Sequence, residues 1–129
     1  MVKVYVLALC LLLSGCYTMA NLRADNIRNI HRLAIGMNKQ EVLDVMGSKY
    51  AEKGTLRVSN PYYSESLWGK HKELDVYYYY TGSEKADAII SNDELTPLVF
   101  DEGKLTGWGW DFLRDNIKAY KLELRYIQP

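Results

Sequence analysis

Glu73-Leu74-Asp75-Val76-Tyr77-Tyr78-Tyr79-Tyr80-Thr81 is the stretch that decides the fold. Its period is two: Leu74, Val76, Tyr78 and Tyr80 alternate with Asp75, Tyr77, Tyr79 and Thr81. Side chains at i and i+2 share one face of a strand, so this is a strand with one face more apolar than the other. The first set is expected to face a helical layer. Tyr77 and Tyr79 are then expected on the outer face.

Downstream, Pro97 opens a second strand, Leu98-Val99-Phe100. It is followed by Asp101-Glu102-Gly103-Lys104 and a third strand from Leu105 to Trp110. Pro tolerates the first position of a strand, where its missing N–H costs least. Gly103 supplies the positive φ that a tight hairpin turn needs. Gly107 and Gly109 alternate with Trp108 and Trp110, which places both indoles on one face. A strand glycine often marks a close approach by another group. Asp111 can cap a short helix from Phe112 to about Ala119. The tail from Tyr120 to Ile127 fits strand, helix or loose chain.

Upstream, the period is helical. Ile27, Ile30, Leu33 and Ala34 fall on one face of a helix over 25–34. Asn38 with Glu41 three residues on is a capping-box arrangement, opening a second helix, Lys39 to Met46. Gly47 then stops it as a C′ glycine. The short link between them favours a packed pair. Tyr50–Val58 reads as a poor strand, Ser59-Asn60-Pro61 as a turn, Tyr62–Lys72 as an aromatic-bearing loop, and Gly82–Leu95 as a polar loop. The expected architecture is α+β: two N-terminal helices packed on one face of a roughly three-stranded antiparallel sheet, with a short C-terminal helix or tail.

The N-terminus gives a location. Lys3 is followed by an unbroken apolar run, Val4 to Leu13, and then Ser14-Gly15-Cys16. The run is shorter than the roughly 20 residues a membrane span needs. The order of charge, apolar run and small residues is that of a secretory signal. Leu13-Ser14-Gly15-Cys16 resembles the lipobox of bacterial lipoproteins. That resemblance implies a diacylglycerol on Cys16, cleavage before it, and acylation of the new amine. Tyr17, rather than Asp, at the following position implies an outer-membrane destination. The chain then divides into a signal over 1–15, a lipidated tether over 16–24 and one domain over 25–129.

Composition excludes several classes. Removing residues 1–15 from 129 takes Lys3 away, leaving 15 basic residues against 16 acidic ones, a net charge of −1. A nucleic-acid binder wants a basic excess or a basic face, and neither is visible. By the same resemblance Cys10 would leave with the signal and Cys16 would become a thioether, so the mature domain would have no thiol for a disulfide, a metal or a nucleophile. His31 and His71 lack a sequence partner at ligand spacing. Asp87, Asn92, Asp93 and Glu94 form an acidic loop, but not with the spacing of a twelve-residue calcium loop. No phosphate loop, nucleophile elbow or zinc helix motif is present. No cofactor is expected, and no catalytic or metal residue is assigned. A hydrolase would need His71 or His31 to meet Asp75 or Glu94 in one cleft. Of the eleven tyrosines, all but Tyr5 remain, with three tryptophans. Of these, Tyr62, Tyr63, Tyr77, Tyr79, Trp108 and Trp110 form the candidate contact surface, since amphipathic aromatics suit interfaces.

Ile35-Gly36-Met37-Asn38-Lys39-Gln40-Glu41-Val42, ending in Met46-Gly47, resembles the opening of small outer-membrane lipoproteins of the SmpA/OmlA, BamE-like type. Asn92-Asp93-Glu94-Leu95-Thr96-Pro97-Leu98-Val99-Phe100, with Gly103, Leu105 and Gly107-Trp108-Gly109, is closer to a related group of uncharacterised small lipoproteins. The resemblance implies a helix pair on a three-stranded sheet and a role by contact: an accessory with an envelope protein partner in envelope assembly or integrity. The alternative is a binder of a small envelope ligand, a glycan or lipid fragment, through the same aromatics.

Overall fold

The computed structural model describes residues 16–82 and 89–124. The signal over 1–15, Asp87 in the acidic loop and the tail beyond Leu124 lie outside them. The class is α+β. The elements run α1 (Met19–Ile30), α2 (Lys39–Met46), β1 (Ala51–Lys53), β2 (Leu56–Val58), β3 (Tyr63–Trp68), β4 (Glu73–Tyr80), a 3₁₀ turn (Asn92–Glu94), β5 (Leu95–Asp101), β6 (Lys104–Trp108), α3 (Trp110–Tyr120) and β7 (Glu123–Leu124).

The sheet is wider than the three strands expected. β6, β5, β4, β3 and β7 lie side by side in that order, and β1 with β2 forms a separate hairpin. Its centre is the β4–β5 pairing, antiparallel from Leu74↔Asp101 to Tyr80↔Leu95. The extra strands come from weak patterns. Tyr63–Trp68 reads YSESLW, with polar residues through its middle, because it pairs with β4 on one side and with β7 only at Leu67 and Trp68. The β5–β6 turn has both central residues at positive φ, Glu102 at 49° and Gly103 at 76°, as a two-residue hairpin requires.

The sheet is covered on both faces, which corrects the expected single helical layer. Leu74, Val76, Tyr78 and Tyr80 join Leu95, Val99, Leu67 and Leu113 of α3 in one buried cluster, with Ala51 and Val58 of the small hairpin. Tyr79, Leu98, Phe100 and Leu105 form a second cluster with Val42 and Met46 of α2. The run Leu98-Val99-Phe100 is apolar without alternation, the pattern of a strand buried on both sides. α1 reaches both clusters, giving Met19 and Leu22 to the first and Ile30 to the second.

α1 begins at Met19, not Asp25. Thr18 caps it, accepting from the Asn21 amide at 3.2 Å. Leu22, Asn26 and Ile30 are spaced by four, and all three are buried. Asn26 is fully buried because its amide is satisfied. It donates to Asn60 Oδ1 and to the Tyr80 carbonyl, each at 2.9 Å, and accepts from Asn60 Nδ2 at 2.7 Å. Asn60 also donates to the Met46 carbonyl at 3.2 Å. This amide pair joins α1, the end of α2 and the end of β4. α2 has the expected bounds: Asn38 Oδ1 accepts from the Glu41 amide at 2.8 Å, and Glu41 Oε1 accepts from Asn38 Nδ2 at 3.0 Å.

Candidate functional site

Cys16 is exposed, and the chain is fastened immediately after it. The Tyr17 hydroxyl donates to Asp25 Oδ2 at 2.7 Å, and its ring packs against the first cluster. Lys49 Nζ lies 5.0 Å from that ring and 3.9 Å from Asp25, which also pairs with Arg28. The hydrogen bond from Tyr17, helped by Arg28 and Lys49, holds the Asp25 carboxyl below its ordinary value, against some burial. Burial and the same bond push the Tyr17 phenol up. Within the segment expected as a tether, 16–24, Met19 and Leu22 are core residues of α1, and among the described residues only Cys16–Thr18 precede that helix.

The six aromatics assigned to one contact surface do not share one. Tyr62, Tyr63 and Trp110 gather around Tyr78. Tyr63 stacks on it with centroids 4.3 Å apart and planes at 15°, Trp110 lies at 5.6 Å, and Tyr62 meets Tyr63 edge-on at 5.9 Å. Trp110 Nε1 donates to the Leu95 carbonyl at 2.8 Å, and the Tyr78 hydroxyl donates to Glu65. Burial first, and then the Glu65 carboxylate, raises the Tyr78 phenol. Tyr63 is the exposed member, at 38 %.

Tyr77 and Trp108 sit on the opposite face, packed against the second cluster. Tyr77 meets Phe100 at 4.9 Å, and Lys39 lies 6.0 Å from its ring. Trp108 borders a shallow groove with Ile27, Ile30, His31, Thr81 and Thr96. Trp108 and Trp110 part because β6 ends at Trp108 and Gly109, at φ 96°, turns the chain into α3. Tyr79 is fully buried beneath α2, which removes it from any surface. Tyr is as well suited to a core as to a rim, so the strand pattern alone could not sort Tyr77, Tyr78 and Tyr79.

The titratable groups are mostly engaged. Asp75 accepts from Lys39 and from Ser66 Oγ at 2.5 Å. Burial raises its carboxyl, but these two donors outweigh it, and the group sits below its ordinary value. The Lys39 ammonium is raised by the same bond. Lys72 pairs with Asp101 at 2.6 Å. His71 borders a polar groove with Asp75, Lys72 and Asp101, whereas His31 lies in the groove beside Trp108. Glu94 is buried as a capping residue, accepting from the Ser91 amide at 2.8 Å. Among the described residues, no group of three or more His, Cys, Asp and Glu could hold a metal ion. None of their helices is long and apolar enough to cross a membrane.

The Tyr17 latch and the Asn26–Asn60 pair were not found from sequence. Asn26 did leave a signal: it stands at the i+4 position between two apolar residues of one helical stripe. The Tyr17–Asp25 spacing of eight carries none. Residues 18–115 match the profile of a family described as "protein of unknown function (DUF3192)". No curated protein and no solved structure matches the chain.

Proposed function

We propose, from the premise that this chain belongs to the DUF3192 family, that it is a lipid-anchored module held at the outer membrane and facing the periplasm. In this reading it acts by contact, without catalysis, as an accessory to envelope assembly or integrity. The observation that carries the reading is Cys16, closing a lipobox and standing exposed one residue ahead of the Tyr17 latch. The resemblance to SmpA/OmlA lipoproteins supports the envelope role.

The partner, an envelope protein, meets the Tyr62–Tyr63 patch. Tyr63 is exposed and its ring is already stacked on Tyr78, so little side-chain freedom is lost on binding. A small glycan or lipid ligand would have to use one patch alone, because the six aromatics are divided between opposite faces and the core.

A photoreactive residue replacing Tyr63 in growing cells tests this. Crosslinks to an envelope protein from position 63, absent from position 114 on α3, are the expected result. Cys16→Ser should remove the protein from the outer-membrane fraction. An unchanged fractionation of that variant, or equal labelling from both positions, would overturn the reading.

A further inference from the structure

The anchor and the fold are too close together for the domain to hang free. Thr18 caps α1 and Tyr17 is tied to Asp25, so Cys16 is one Cα step, about 3.8 Å, from a residue held in the fold. Resting on the anchoring reading above, a lipid on Cys16 presses this end of the domain against the headgroups.

The surface around Cys16 is suited to that neighbour. Cys16 and Tyr17 border a groove with Ser48, Lys49, Tyr50, Ala51 and Glu52. Tyr50 is 45 % exposed, and the Arg57 guanidinium lies 3.6 Å from its ring centroid. Lys49 lies over Tyr17 from the other side of the groove, with its side chain 69 % exposed. Lys53 is exposed at the end of the β1–β2 hairpin. Among the described residues, Lys49, Lys53, Arg57 and Arg28 stand against Asp25 and Glu52 here; Asp25 is met by Tyr17, Arg28 and Lys49, and Glu52 by Arg57 at 3.7 Å. Tyr rings settle at headgroup level, Lys and Arg stems lie along apolar surface with their charge in water, and such cations are drawn to anionic lipid.

We propose that Lys49, Tyr50 and the β1–β2 hairpin form a membrane-docking face that binds anionic headgroups and fixes the orientation of the anchored domain. The β5–β6 turn is then the end directed away from the bilayer. Asn26, next to Asp25, holds the Tyr80 carbonyl, whereas Asp101 pairs with Leu74 at the other end of β4. Those ends are separated by about 20 Å at the usual strand rise.

The test uses the full-length protein extracted from membranes, with intact mass reporting acylation of Cys16, in vesicles of phosphatidylcholine with and without phosphatidylglycerol. Fluorophores are placed at Thr55→Cys in the hairpin turn and, separately, at Glu102→Cys, and headgroup spin-labelled lipid is the quencher. The hairpin probe should be the more strongly quenched of the two, and more so with phosphatidylglycerol. Lys49→Glu with Arg57→Glu should lower that preference by about fivefold for each cation removed, as should high salt. Both side chains are exposed but meet Asp25 and Glu52, so circular dichroism of the double variant accompanies the measurement to show that its fold is kept. Equal quenching at the two positions of an acylated protein, or a preference that survives charge reversal, overturns the docking face and leaves the anchor standing. An unmodified Cys16 overturns the anchor and the docking face with it.

Discussion

Tyr79 carries a cost that its neighbours do not. It is fully buried, and its hydroxyl is a buried polar atom without a hydrogen-bond partner. Burial first, then the nearby Tyr77, raises its phenol well above the ordinary range. A buried hydroxyl that bonds nothing loses its hydration without recompense. Tyr79→Phe should therefore leave stability unchanged or raise it by up to about 1 kcal/mol, read from the denaturant midpoint. A drop of similar size would show that the hydroxyl does have a partner. Tyr78 is the contrasting case: its hydroxyl is held by Glu65, and its ring supports Tyr63. From sequence the two are adjacent members of one tyrosine run. Their alternation was legible, but which face would be covered was not, because that depends on α2 and α3 packing from opposite sides.

At the scale of elements, local chemistry was legible where it closed on itself. α2 has its cap, its reciprocal Glu41 and its terminal Gly47 within ten residues, and its bounds follow from these. The sequence pattern starts α1 six residues late because Asn26 interrupts its apolar stripe, and Asn60, which makes that asparagine a core residue, is thirty-four positions away. The β3 residues carry a loop-like pattern because an outer strand needs few apolar residues. Gly107 in its strand predicts a close approach, and the structure supplies the group. A Cβ there would lie 2.7 Å from two carbons of the Phe112 ring. Gly107→Ala should cost about 1–3 kcal/mol by forcing α3 away from β6. Phe112→Leu in the same chain should recover part of that loss, since the two changes meet at one contact. Additive losses in the double variant would locate the damage elsewhere.

The whole molecule should be more sensitive to acid than to mild base. Asp25 and Asp75 both lie below their ordinary value of 3.8 in the fold. A carboxyl whose pKa is depressed by folding contributes stability above its unfolded value and loses it as pH falls through the folded one. Lys39 is raised from 10.5, so its contribution is complete below that value and is lost only as pH rises past it. Stability should be level between about pH 5 and pH 8 and decline on acidification below the ordinary carboxyl range. Asp75→Asn should flatten part of that decline, which a denaturation series across pH would reveal. A decline of equal steepness in the variant would assign the acid sensitivity to other groups.

On the proposed acylation of Cys16, the short span between Cys16 and Thr18 also sets a working radius. A chain of this size has a radius of gyration near 13 Å and so stands about 35 Å tall. With no leash, an acylated protein sweeps only the layer of fluid next to its own leaflet. It cannot fetch cargo from the middle of the compartment or bridge to a distant wall. Whatever it meets has to be resident at that leaflet already, which makes it better suited to bracing a neighbour in place than to ferrying anything.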